Sequence, residues 1–303
     1  MIEMLKTLGK SVREYKRPAL VTPVLVTIEV ILEVVIPKLM ANLIDNGIYS
    51  GEMNVILKIG LQLVLASILA LFFGCASGFT ASKASAGFAK NLRKDLYYKI
   101  QDFSFANIDK FSTASIITRL TTDVSNVQMA FQMMTRIVVR TPLMLVFSLI
   151  MAFNINAKLS LIFLGLIPIV ALALGIISIK AHPIFERVFD KYDSLNNVVE
   201  ENVRGIRVVK SFVLEDYETN KFKKSSEDIY NDFVKAEKLI AFNSPVMQIA
   251  SYAAMLLISW FGAKMIVSTG MTEFTTGELT SLITYTMQIL VSLMMITKNH
   301  QEN

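Results

Sequence analysis

One cysteine, Cys75, and two histidines, His182 and His300, are all that 303 residues offer in the way of soft metal ligands. An internal disulfide framework is therefore excluded, and a structural zinc site has too few ligands to form. Charge is also scarce. Asp, Glu, Lys and Arg together make up 18% of the chain, where a soluble domain carries roughly a quarter. The N-terminus has no cleavable leader pattern. Five basic residues are spread over Met1–Pro18, with neither a short apolar core nor a small-residue cleavage site behind them. A nucleotide-binding motif is wanting too. Gly9-Lys10-Ser11 matches the end of a phosphate loop, but the first glycine of that pattern would fall on Met4, and no strand precedes it.

What the chain does have is apolar length. Six runs stand out, at about Ala19–Ile44, Val55–Ser82, Ile137–Phe153, Leu159–Ile179, Val246–Val267 and Leu279–Ile296. Crossing a hydrocarbon core of about 30 Å takes about 20 residues of helix. The third and sixth runs are short for this, yet six such runs in one chain are not the pattern of buried helices in a soluble protein. Basic residues give an orientation. With the N-terminus inside, the inner segments 1–18, 83–133, 180–245 and 297–303 hold 24 lysines and arginines, and the outer loops hold one, Lys158. The formal charge of +5 is thus spread along one side of a bilayer. No basic module suited to nucleic acid is formed.

The two large inner segments, 51 and 66 residues long, are patterned as amphipathic helix. Phe88, Leu92 and Leu96 recur at helical spacing among lysines and arginines, and Val188, Tyr192, Leu195, Val199, Val203, Ile206 and Val209 continue such a stripe. The spans are expected to run on past the lipid as two long hairpins, at about 83–133 and 180–245, turning near Asp102–Thr113 and Phe212–Thr219. The fold expected is an all-α membrane protein of six transmembrane helices. A basic, interfacial N-terminal helix over 1–18 precedes the domain at 19–296, and a short polar tail, 297–303, follows it.

Three stretches then carry a family resemblance: Pro37-Lys-Leu-Met-Ala-Asn-Leu-Ile-Asp45-Asn-Gly47, Phe103 through Asp123, and Glu201-Asn-Val-Arg204-Gly205-Ile-Arg207-Val-Val-Lys210-Ser-Phe212. They resemble the transmembrane domain of type IV ABC exporters, the half-transporters of the multidrug, lipid and peptide group. Ala114 stands where that family usually has glycine. The resemblance implies short coupling helices near Ser104–Lys110 and Phe212–Glu218. Phe105, Ile108, Asp109, Phe212, Leu214 and Tyr217 would there meet an ABC nucleotide-binding domain. It further implies a dimer with a second six-helix half, identical or different, and alternating access driven by ATP. ATP and magnesium would be held on a nucleotide-binding domain that these residues lack; no cofactor, metal or catalytic residue is expected in the chain itself. The sixth span ends sooner than the family's does, which reads as truncation, frameshift or a separately encoded ATPase.

Polar residues within the spans mark a candidate substrate cavity for an amphipathic or apolar molecule: Glu29, Glu33, Arg140, Tyr285 and Gln288. Glu29 and Glu33 are four apart and share a helix face near mid-bilayer. They read either as a cation-attracting cavity wall or proton-linked switch, or as partners in interhelical hydrogen bonds, to Gln62, Gln288 or a threonine. Arg136 and Arg140 read as snorkelling to headgroups or as lining an inward cavity. Methionines 287, 294 and 295 suit an adaptable apolar surface. Other functional readings are an ion-coupled carrier or channel using the two glutamates, and a non-transporting remnant. The expected location is a multi-pass position in a bacterial plasma membrane, with both termini cytoplasmic.

Overall fold

The computed structural model describes residues 8–104 and 113–301, with side chains through residue 296. Long helices dominate. After a 3-10 turn at Arg13–Tyr15 come α1 (Lys16–Asn42), a wider π turn (Leu43–Ile48), α2 (Met53–Gln101) and α3 (Thr113–Ile155, with a π turn at Arg119–Asp123). Then follow α4 (Ala157–Arg204), α5 (Ile206–Ser211), α6 (Glu215–Ala241), α7 (Asn243–Thr269) and α8 (Thr276–Gln301). Six of the described helical stretches are long and apolar enough to span a membrane. α2 has 49 residues, about 74 Å at 1.5 Å per residue, more than twice a hydrocarbon core. α4, with 48 residues, is nearly as long. The rods expected from the amphipathic stripes are present.

The chain divides into two compact units. The first holds residues up to Leu161 and Leu257–Ile296. Its centre is α1, whose Val26, Val30 and Val34 are buried at four-residue steps. α2 approaches closely because it presents small residues: Ala66, Ala70, Ser77, Ala81, Ala84 and Ser85 are buried along it. Small side chains let helix backbones approach where lipid supplies no hydrophobic drive. Phe88 of α2 stacks on Phe131 of α3 with centroids 4.7 Å apart. On the lipid-facing side, Leu71 and Phe72 are exposed, as a bilayer solvent permits.

The start of the chain differs from expectation. Residues 1–7 of the expected interfacial helix lie outside the described residues, and residues 8–15 are seated on α2. Ser11 Oγ donates to Asp95 at 2.8 Å, Arg13 donates to the other oxygen at 2.7 Å, and Asn91 Nδ2 donates to the Ser11 carbonyl at 3.0 Å. The ring of Tyr15 lies over Gly87, where a Cβ would come within 2.3 Å of it. α1 opens at Lys16, with Pro18 in its first turn, where the missing N–H has no helical partner to lose.

The second unit covers Ile162–Leu256. In it α4 and α6 run side by side with Val188, Ile229 and Ala236 buried. Phe185 meets Phe233 edge to face at 6.2 Å. Asp232 fastens the pair, accepting from Lys191 Nζ at 2.6 Å and from Lys235 Nζ at 3.0 Å. Those two hydrogen bonds, Lys191's first, hold its carboxyl below the usual value of 3.8, at about 2. A depressed folded value means the stabilisation is present above the unfolded value and is lost as pH falls through the folded one. Thermal melts of the parent and Asp232→Asn, followed by circular dichroism, should therefore differ at pH 5 and converge between about pH 4 and pH 2. A constant gap across that window would contradict the assignment.

Candidate functional site

Both ends of the molecule's rods carry candidate residues, and the intramembrane group is the better defined. Arg140, projecting from α3, clasps both carboxylates of α1. Its Nη1 donates to Glu29 Oε1, and its Nη2 donates to the two oxygens of Glu33 at 2.8 and 2.7 Å. Snorkelling is thus not what Arg140 does. Its guanidinium is engaged by two carboxylates of the neighbouring helix. Glu29 is 4% exposed and also accepts from Ser77 Oγ of α2 at 3.2 Å. It fits because residue 74 is glycine: a Cβ there would lie 3.1 Å from Glu29 Oε1. Arg136, one turn from Arg140, donates instead to the Gly74 carbonyl at 3.4 Å. Gln62 and Gln288 are not partners of the glutamates.

α8 attaches to α1 through backbone carbonyls. The Tyr285 hydroxyl donates to the Val34 carbonyl at 2.7 Å, and Ser281 Oγ donates to the carbonyl of Pro37. Tyr285 is wholly buried, so it belongs to this joint and not to a cavity wall, a correction to its reading as a pathway residue. At the start of α8, Asp45 accepts from the Gly277 N–H at 2.9 Å and from Thr275 Oγ1. Glu278 accepts from the Thr275 N–H at 3.0 Å, and Thr275 Oγ1 accepts from the Glu278 N–H at 3.1 Å. That reciprocal cap was legible as Thr-x-x-Glu before an apolar run; the reach of Asp45 to it was not.

Between α3 and α8 lies a cavity of about 250 Å³, lined by Arg140, Thr141, Met144, Met287, Gln288, Val291, Ser292 and Met295. Of the candidate cavity residues, Arg140 and Gln288 face it, while Glu29 and Glu33 stand behind Arg140. Ser148 Oγ donates to Gln288 Oε1 at 2.9 Å. Met144 was not signalled by sequence clustering, and Met294 is not in the lining.

The other candidate region is the hairpin tip of the second unit. Gly205 interrupts the helix after Arg204, a short α5 follows, and Phe212–Leu214 turns the chain into α6. The short helix expected at Phe212–Glu218 is therefore placed earlier, at Ile206–Ser211, because the break falls at Gly205. Tyr217 sits in the first turn of α6, not on a separate helix. Phe212 is 72% exposed and Val213 80%, and Leu214 and Tyr217 are also exposed. Val213 has φ +52°, a conformation costly for a β-branched residue. Below the tip, Val199, Val203, Ile206 and Phe222 line a groove of about 320 Å³. Lys210 donates to Glu215 at 3.0 Å and lowers its pKa, while Glu201 raises that of Lys221. Phe105, Ile108 and Asp109, of the first tip, lie outside the described residues.

Gly9-Lys10-Ser11 does not form a phosphate loop. Lys10 follows a helical turn, and Ser11, the would-be magnesium ligand, is 7% exposed and bound to Asp95.

Residues 20–293 match the ABC transporter transmembrane region family. The chain belongs to that family. Among curated relatives of this ABC transmembrane region, the ABC transporter ATP-binding protein YfiB of Bacillus subtilis is 32% identical over 78% of the chain and 41% of its own length. An ABC transporter ATP-binding protein of Mycobacterium tuberculosis is 30% identical over 77% of the chain and 40% of its own. The ATP-dependent lipid A-core flippase of Pseudomonas savastanoi is 29% identical over 58% and 30%. The chain thus spans about two fifths of the length of the first two relatives. An ABC transporter transmembrane region with six helices long and apolar enough to span implies a multi-pass membrane setting.

Removing Arg140 should leave two carboxylates without their cation. Arg140→Met is expected to cost about 3 kcal/mol, the low end for breaking a buried pair because the arginine is partly exposed. Adding Glu29→Gln and Glu33→Gln should recover most of it. Thermal unfolding in detergent checks both, and an unchanged midpoint for Arg140→Met would contradict a structural role for the clasp.

Proposed function

We propose that this ABC transmembrane region forms half of the membrane pathway of an ATP-driven exporter. Two six-helix halves, identical or different, enclose a path for an amphipathic or apolar molecule. An ABC ATPase domain, on the same polypeptide or another, supplies the energy and drives alternating access. The positive-inside distribution supports cytoplasmic termini and hairpins, and the bacterial relatives support a plasma-membrane location. The flippase among the relatives acts on lipid A-core by its name, which supports an amphipathic substrate class here.

The observation that carries this reading is the second hairpin tip. Phe212, Val213 and Leu214 are exposed in the turn that follows α5, beyond the 48-residue α4 and well outside the span by length and charge. Apolar side chains gathered at such a point suit insertion into a groove on a soluble domain. An ion-coupled carrier finds less support, since both intramembrane glutamates that would bind the ion are held by Arg140.

The test is capture of a purified ABC ATPase partner by the detergent-solubilised chain. Phe212→Asp and Leu214→Asp should each weaken capture by about tenfold or more, the loss typical of a residue central to an interface. Phe105→Asp is expected to do the same at the first tip. Unchanged capture by all three would overturn docking through the hairpin ends.

A further inference from the structure

The cavity between α3 and α8 has walls of one chemical kind and hydrogen-bond donors of another. Met144, Met287, Val291 and Met295 are apolar and adaptable. The hydroxyls of Thr141 and Ser292 are committed to carbonyls of their own helices, at 2.8 and 2.7 Å. Two donors remain. Gln288 has its carbonyl oxygen occupied by Ser148, and its amide N–H groups have no partner among the described residues. Arg140 carries five N–H groups, of which the three contacts to Glu29 and Glu33 leave some free for the cavity side.

A lone arginine beside an apolar pocket would select organic anions. This one is not alone. Glu29 and Glu33 hold it from behind, and Arg136 on the same helix brings the four-residue charge to zero. An anion entering the cavity would meet a guanidinium already neutralised, with two carboxylates close by in a medium of low dielectric. A cation would meet the guanidinium first, because the carboxylates lie on its far side. A neutral molecule with an acceptor oxygen meets neither penalty and satisfies the donors of Gln288 and Arg140.

We infer that Glu29 and Glu33 set the charge selectivity of this cavity: by neutralising Arg140 they reserve it for uncharged apolar molecules bearing a hydrogen-bond-accepting oxygen, and they bar organic anions. The inference rests on the reading of the chain as a transport pathway and names the substrate chemistry of that pathway.

Three radiolabelled aryl probes of different charge test it: triphenylphosphine oxide, tetraphenylphosphonium and tetraphenylborate. The two ions match each other in size and carry one phenyl more than the oxide, so that the gain of tetraphenylborate in the glutamine variants separates charge from bulk. Equilibrium binding is measured to the full chain in phosphatidylcholine nanodiscs, with empty discs as blanks. The oxide should bind saturably, and the two ions at blank level. Glu29→Gln with Glu33→Gln should raise tetraphenylborate binding about tenfold or more, since an uncompensated buried charge then seeks an anion. Gln288→Leu should weaken the oxide about tenfold, as loss of a hydrogen-bonding partner does in a site built for one. If the double variant fails to fold, Glu33→Gln alone decides by the same gain of tetraphenylborate. Either ion binding the parent as tightly as the oxide overturns the proposal, as does a folded glutamine variant that gains no anion. Capture of the ATPase partner on the same discs separates the two readings. Altered selectivity with capture intact sinks only this inference; lost capture with the expected probe pattern sinks the exporter reading.

Discussion

Hydrocarbon offers no water to a buried charge, so a carboxylate placed there must find its cation within the protein. Glu29 and Glu33 meet that requirement through one residue. Arg140 reaches them from a helix more than a hundred positions away in sequence, and its planar fork can serve two acceptors at once, as a lysine could not. The contact fixes more than charge. It sets the rotation of α3 against α1, because the arginine must face the glutamate side of the helix. It also explains glycine at 74 and serine at 77: α2 must both admit the Glu29 carboxyl and donate to it.

The same helix is also held by neutral bonds. Tyr285 and Ser281 of α8 donate to carbonyls of α1 around Pro37. α1 is thus tied to α3 by ion pairs and to α8 by hydroxyl bonds, and Ser148 of α3 ties α8 to α3 directly. The cavity between α3 and α8 owes its walls to this arrangement: Arg140 faces it because the glutamates hold that side chain, and Gln288 faces it because Tyr285, three residues earlier, is turned to α1.

Much of this architecture was legible in the sequence. Run length marked the six spans, and the amphipathic stripes marked helices longer than a bilayer; both depend only on neighbouring residues. The four-residue spacing of Glu29 and Glu33 likewise placed them on one face. Their partner was not legible, because a period along one helix carries no information about which distant helix lies opposite. Tyr285 misled for the same reason: its polarity marked it as noteworthy, but only packing decides whether a hydroxyl looks into a cavity or at a backbone carbonyl. At the second tip the family pattern pointed to Phe212 onward, while the local chemistry of Gly205 moved the helix break seven residues earlier.

Exposure of apolar side chains means different things along this chain. Leu71, Phe72 and Trp260 are open on transmembrane stretches, where lipid covers them at no cost. Phe212 is as exposed as Trp260 and Val213 more so, but beyond the reach of lipid, where leaving a large apolar side chain in water forgoes about 2 kcal/mol of burial. Val213 adds backbone strain of about 1–3 kcal/mol at its positive φ. A tip built this way is poorly satisfied on its own, and a soluble domain that covers Phe212 would recover the burial while selecting the strained turn. Under the proposed function the intramembrane clasp and the tip are thus complementary. One is a site where every charge is already answered, so that its selectivity is fixed. The other is left open, so that a motor domain can complete it.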